Sequence, residues 1–484
     1  MTPLAGFAPD ASPTTPGVFT DCQNLVPTDA GFSSALSPSL AAPVALPDPC
    51  QGAAVLDRLN GTRRVIAGTA TALYELMTGA WVDRSKSGGY AGAGDSTWSF
   101  AQFGDTTIAS NLADAMQSSV NGQFADIPGA PRAKIVVSAT NNFLIAFNTI
   151  DPTYGVSPDR WWNSAQSDQT NWAPNVSTLA NSGRLVAVPG PITNAKALGD
   201  YVVAYKGRGI FLGSFVGSPV VWQWNLVPGS EAGCVGPEAA CDIGVAHFLV
   251  GEDDFWIFDG TRPVAVGGGV VRQWFTRNCN QSFRYRCKAS YDRQLDCVYV
   301  DYPSANSAGG CDSRLVFHVA TKRWGRVDAD AQATLQFISP GVTIDELGAY
   351  SSTIDGLPNV PVDSPFWSAG SRSSAYFDSN NRLVSRSGVS GVSSFTTGDL
   401  GDDDVVSMLD QFRIRFTSRP ATATATGLYK FNEGEDLTIG PASPIADGRF
   451  NLRQSGRFHR VRIDMTGSHS ETAMQAKPVP VGQR

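Results

Sequence analysis

The chain has 484 residues, 42 % hydrophobic and only 17 % charged, with 49 glycines and 30 prolines; that suits many short strands and turns and excludes a charged helical bundle. Its net charge of −7 argues against a protein that coats nucleic acid, which needs a basic surface. No apolar run approaches the roughly 18 residues of a membrane span, and the start lacks the basic and apolar regions of a secretory signal.

Residues 1–54 are rich in Pro, Ala, Ser and Thr and have no sustained period. They are expected as an extended arm. Within them, Asn24-Leu-Val-Pro27 and Gly31-Phe32 read as a fixed strand and a turn. Over residues 55–385 a unit recurs: short apolar strands, then a turn and an aromatic. Trp81, Phe124, Trp172, Trp224 and Trp324 mark it, at roughly 40–50-residue steps with a double gap before Trp324. Either Val264 or Trp274 marks the unit inside that gap, and Trp367 marks one more. This period, with several strands per unit, predicts an all-β chain built around an irregular β-propeller of about six or seven blades. The rival arrangement is a set of β-sandwiches. No WD dipeptide occurs, and no kelch motif is recognisable.

The stretch 247–260 is the most informative single segment. It reads as two strands joined by the polar turn Gly251, Glu252, Asp253 and Asp254. In the second strand Phe255 and Ile257 alternate with Trp256 and Phe258, so both faces are apolar and both must be covered. Helical period is confined to two short stretches, 112–120 and 270–276.

Residues 386–468 predict a small antiparallel module. Phe412, Ile414 and Phe416 alternate with Arg413 and Arg415, and Val461 and Ile463 alternate with Arg460 and Arg462. If the two strands pair in register, the four arginines share one face suited to a partner. Residues 469–484 read as a loose tail.

Residues that carry chemistry mostly have plainer explanations. Asp253 and Asp254 lie in a turn, where Asp is favoured for its backbone geometry. Glu231 and Glu238 have no identifiable partner. Asp399 with Asp402, Asp403 and Asp404 lacks the spacing of a calcium loop and reads as solvated. The eight cysteines form no C-x-x-C pair and the four histidines no i, i+4 pair, so no metal or other cofactor is expected. Reduced thiols are expected, and Cys234 and Cys241 are the pair if any disulfide forms. No enzymatic activity is expected.

Several strings, in this order, resemble one known family: the tail nozzle, or packaged-DNA stabilisation, proteins of short-tailed bacteriophages. They are Asn24-Leu-Val-Pro27 with Gly31-Phe32, Trp98-Ser-Phe-Ala-Gln-Phe-Gly-Asp105 with Asn111, and Phe124-Ala-Asp-Ile-Pro-Gly-Ala-Pro131. The 248–260 hairpin, Arg314-Leu-Val-Phe317 with Lys322-Arg-Trp324, and Ser455-Gly-Arg-Phe-His-Arg460 complete the set. The resemblance implies a propeller-bearing virion tail subunit, made in the host cytoplasm. Six copies would form a ring below the portal, on the adaptor ring and beside other tail proteins, retaining and conducting genomic DNA without gripping it. The competing functions are a receptor- or carbohydrate-binding tail protein and a glycan-degrading enzyme.

Overall fold

The computed structural model describes residues 1–481 apart from 78, 229–230, 339–346, 348–350, 352, 358–371 and 402–403. Strands dominate, and they make a propeller joined to a β-sandwich. Six blades are separate four-stranded sheets. A further blade, Lys288–Asp292, Cys297–Tyr302, Cys311–His318 and Trp324–Ala331, is one end of a ten-stranded sheet, which brings the ring to seven. The first strands are Gly52–Asp57, Ser99–Phe103, Arg132–Ala139, Ile192–Leu198, Ala240–Asp242, Lys288–Asp292 and Ala333–Ile338. Each is the innermost strand of its blade and neighbours the next, and the seventh returns to the first.

Period-two alternation explains why the blades stack. In Tyr201–Lys206 of the fourth blade, Val202 and Ala204 pack on Phe147 and Trp161 of the third. Val203 and Tyr205 face the other way and join Phe248 and Leu249 of the fifth. A strand that is apolar on both faces is thus covered by a blade on each side. The 247–260 hairpin does the same as the middle of the fifth blade, His247–Val250 paired with Phe255–Phe258. Phe248 meets Phe317 at 5.5 Å, and Phe255 meets Trp324 at 4.9 Å. His247 is buried between the fourth and fifth blades. Its Nε2–H donates to the Ala197 carbonyl (2.9 Å), so its Nδ1 accepts from the Tyr205 hydroxyl (2.6 Å).

The marker positions fall on outermost strands in the first, fourth and sixth blades: Trp81, Trp224 and Trp324. Phe124 directly precedes the outermost strand of the second. Val264, not Trp274, lies on that strand of the fifth, Pro263–Ala265. Trp274 sits on the short helix Arg272–Asn278. Trp172 lies in a loop of the third blade, whose outer strand Asn181–Arg184 has no aromatic. Trp367 is outside the described residues. The stretch 112–120 is not helical and contains the strand Gln117–Ser119.

The expected arm is instead woven through the molecule. Pro38–Leu40 pairs with Leu383–Arg386 as the outermost strand of the seventh blade, so the N-terminal segment closes the ring. Leu25–Pro27 and Phe32–Ser34 extend the sixth blade's sheet. Asp10 reaches the start of the Arg272–Asn278 helix, where its carboxylate accepts from Gln273 N (2.6 Å) and Trp274 N (2.9 Å).

The C-terminal part is a full sandwich. One sheet carries Ser407–Ser418, Phe450–Gly456 and Ser470–Pro480, and runs on through Phe32–Ser34 into the sixth blade. The other carries Val18–Gln23, Val392–Thr397, Phe458–Thr466, Thr422–Lys430 and Thr438–Pro444. The tail expected to be loose is therefore mostly a strand, paired with Ser407–Ser418 along its length. Leu409, Phe412, Ile414 and Met474 of the first sheet share a core with Ala425, Val461, Ile463 and Met465 of the second.

Candidate functional site

The inner strand of each blade has one open edge, and seven such edges surround the propeller axis. They enclose a cavity of 460 Å³ lined by Ala54, Phe100, Lys134, Lys196, Asp242 and Thr334 among others. A second space of 350 Å³ adjoins it, bounded by Gln51, Asp95, Glu238, Arg286, Lys288 and Gln332. Thr97, Lys134, Pro237 and Glu238 line both. Trp98 fixes the wall beside Thr97. Its indole N–H donates to the Thr69 carbonyl (2.8 Å), and a Cβ at Gly68 would meet its ring at 2.2 Å. Only glycine fits there.

The charges in this space divide into two kinds. Lys288 is ion-paired with Glu238, and Arg286 with Asp95. Burial opposes the Lys288 charge, but Glu238 beside it prevails and its pKa is raised. Lys134 and Lys196, on neighbouring inner strands, have no ion pair among the described residues. Burial pushes the Lys134 amine down, and Asp95 partly offsets this. Asn194 is held by donating to the carbonyls of Gly236 (3.2 Å) and Pro237 (2.8 Å). A space of this size with two free amines can hold a small anion. Of its carboxylates, Glu238 is engaged by Lys288, and Asp242 accepts from Gly244 N (2.7 Å).

The four arginines singled out from the sequence do not come together. Arg413 and Arg415 lie on Ser407–Ser418, while Arg460 and Arg462 lie on Phe458–Thr466 of the other sheet. The strands do not pair, because each has buried its apolar face against the opposite sheet. The alternate residues therefore point away on opposite outer faces. Arg460 binds Asp399 (2.5 Å) and Arg462 binds Asp464 (3.0 Å). Arg413 and Arg415 are exposed. The Asp399 side chain is buried rather than solvated and also meets Lys430 at 3.7 Å; Asp402 and Asp403 are outside the described residues. Asp254 accepts from the backbone N–H of Phe255 (2.7 Å) and Gly267 (2.9 Å), and burial raises its carboxyl. Glu252 and Asp253 face Arg208. Glu238, expected to be without a partner, has Lys288. All eight cysteines, Cys234 and Cys241 included, are free and buried. Among the described residues no group of His, Cys, Asp and Glu is placed to hold a metal.

One constellation escaped the sequence reading. His469 Nδ1 lies 2.7 Å from Glu471 Oε2, and Ser393 Oγ lies 2.6 Å from His469 Nε2. The spacing of His469 and Glu471, two apart on an extended segment, puts both on one face and was the available signal. Ser393 comes from the other sheet and could not be anticipated. The order resembles a nucleophile–base–acid relay, but all three residues are sealed in the sandwich, Ser393 at 1 % exposure. Burial raises the Glu471 carboxyl.

No family model matches the chain, and no curated protein does. Solved structures resemble it distantly. The computationally designed Ika8 protein is 10 % identical over 72 % of this chain and 99 % of its own, with a TM-score of 0.38. YCF48 bound to D1 peptide is 13 % identical over 74 % and 97 %, at 0.37. The extracellular domain of the putative hybrid two component system BT4673 from B. thetaiotaomicron is 8 % identical over 87 % and 47 %, at 0.38. None of the three is a phage tail nozzle, and likenesses this remote carry no argument about function.

Proposed function

We propose that this chain is a non-enzymatic structural subunit of a phage virion tail, one of a ring of copies, sixfold by the resemblance, that sits below the portal and adaptor and retains and conducts the genome. The reading rests on the ordered strings of residues 24–460, an argument by analogy to a family. The observation that carries it is that the first of these strings, around Asn24 and Gly31, lies where sandwich and propeller join. Asn24, with φ +55°, donates to Asp328 (2.9 Å) and to the Val392 carbonyl (3.0 Å), tying sandwich to propeller. A Cβ on Gly31 would meet the Glu471 carbonyl at 2.0 Å. The 248–260 string is the middle hairpin of the fifth blade, and Ser455–Arg460 turns the sandwich. In this reading the DNA path lies between copies. A channel of 460 Å³ takes a small molecule, not a duplex whose major groove alone is about 12 Å wide.

The surface supports assembly over glycan recognition. Sugar-binding sites need grouped exposed aromatics, yet no tryptophan is among the exposed large apolar side chains of the described residues, and Tyr154, Tyr201, Tyr285 and Phe431 are on separate elements or loops. Partner contact falls on Arg413 and Arg415, because Asp399 already engages Arg460 and Asp464 engages Arg462. No helix among the described residues is long and apolar enough to cross a membrane. The test is electron microscopy of the particle with an antibody against this chain. Label in a ring on the tail axis is expected. Label on side fibres, or none on the particle, overturns the proposal.

A further inference from the structure

We propose that the outer face of the sandwich sheet around Arg413 and Arg415 docks the acidic hairpin tip 431–437 of a second copy of this chain, head to tail. The inference rests on the ring reading above and names the surfaces that join neighbouring copies. Ser407–Ser418 is paired with Ser470–Pro480 on one side and with Phe450–Gly456 on the other. Opposed residues of paired strands point to the same face, so the register decides what lies outside. Leu409, Phe412, Ile414 and Met474 turn inward to the sandwich core. Outward stand Met408 beside Val479, Gln411 beside Lys477, and then Arg413 and Arg415. Lys477, Arg413 and Arg415 are exposed, and none of them makes an ion pair among the described residues. Asp410, the acid on this strand, is already taken by Arg453 at 4.0 Å. The face thus has an apolar end, with Val479 exposed, and a cationic end.

The hairpin joining Thr422–Lys430 to Thr438–Pro444 carries the complementary pattern. Glu433, Glu435 and Asp436 are exposed at its tip and make no ion pair among the described residues. The tip is already fixed: Glu435 accepts from the backbone N–H of Phe431 and of Asn432 (3.1 Å each), and Lys430 Nζ donates to the Glu433 carbonyl (2.8 Å). A preorganised loop loses little freedom on docking. Phe431 and Ile439 flank the acids and are 43 % and 75 % exposed, so an acidic tip with an apolar flank answers a cationic face with an apolar end. The acidic run 252–254 is no rival, because Arg208 and the hairpin's own backbone already engage it. Within one copy the face and the tip belong to different sheets of the sandwich, and no ion pair joins them among the described residues. The match therefore requires a second copy. Two different surfaces meeting head to tail make a heterologous contact, the kind from which rings close.

The experiment mixes isotope-labelled and unlabelled full chains and treats them with a water-soluble carbodiimide, which condenses a lysine amine with a touching carboxylate. Mixed-isotope cross-links are then mapped by mass spectrometry. Links from Lys477 of one copy to Glu433, Glu435 or Asp436 of another are expected. They should fall about tenfold in molar salt, where the screening length is only about 3 Å. Sedimentation of the Arg413→Glu, Arg415→Glu chain should show self-association weakened by about ten- to a hundredfold. Adding Glu433→Lys and Asp436→Lys to that chain should restore it, which mere damage to the fold would not. Absence of the Lys477 links in the wild-type mixture, or equal association of the charge-reversed chain, overturns the proposal. A ring of label on the tail axis without these links sinks the contact and keeps the ring; the links with label off the axis keep the contact and sink the ring.

Discussion

Acidification should test the inter-blade contact at His247 more sharply than any core truncation. Its Nε2–H donates to the Ala197 carbonyl and its Nδ1 accepts from the Tyr205 hydroxyl, so the neutral ring satisfies both neighbours. A second proton would take the acceptor from the Tyr205 hydroxyl and put a charge in a buried site, with the Lys196 amine near by. Burial is the main cause, and the imidazole pKa is lowered from 6.5 to about 4. In the unfolded chain the ring takes up its proton near pH 6.5, and in the folded chain only near pH 4. The stability this group contributes is therefore complete above pH 6.5 and is lost as the pH falls towards 4. The difference corresponds to about 3 kcal/mol, a large share of the 5–15 kcal/mol typical of a domain. Urea unfolding from neutral pH down to pH 4 measures it, with His247→Gln as reference because glutamine cannot titrate. The other titrating groups, including His459, which burial also lowers, are common to both chains and cancel. The stability difference should shift against the wild type by about 3 kcal/mol across that window. Parallel pH dependences, or a His247 resonance titrating near 6.5 in the native state, would refute the reasoning.

Arg64 grips Glu75 with two bonds (2.6 and 3.1 Å), and Arg84 adds a third at 2.9 Å. Burial alone would raise the Glu75 carboxyl, but the arginines hold it below its usual range. Glu75→Gln strands the buried Arg64 charge and should cost about 3–5 kcal/mol in chemical denaturation; a loss under 1 kcal/mol would count against the pair. Removing residues 1–40 takes the outermost strand from the seventh blade and several strands from both sandwich sheets. The truncated chain should unfold at a lower temperature than the full chain and become protease-sensitive at residues 383–386; an unchanged melt would show that the ring closes without that strand.

Much of the architecture was legible because it follows from local chemistry. Alternation over 255–258 and 201–206 demands cover on both faces, and only stacked blades supply it repeatedly. Asp253 and Asp254 do lie in the turn, and the Asp254 carboxylate accepts from backbone within and beside its own hairpin, while Asp253 faces Arg208 of the fourth blade. The aromatic markers were less faithful. They follow the outermost strands of the first, fourth and sixth blades and fail where a loop intervenes at Trp172.

The sequence by itself determined the all-β class, the repeating unit and which face of each strand is buried, since side-chain period and turn chemistry act over a few residues. Tertiary structure alone decided what long-range pairing controls. The first forty residues carry too weak a pattern to show that they complete a blade and two sheets more than three hundred residues away. The arginines of Ser407–Ser418 and Phe458–Thr466 look alike in sequence, but each strand turns its apolar face to the other's sheet, so the two sets end on opposite surfaces. The space around Arg386 exists only where the 35–38 segment, two blades and the sandwich meet, so no local pattern encodes it.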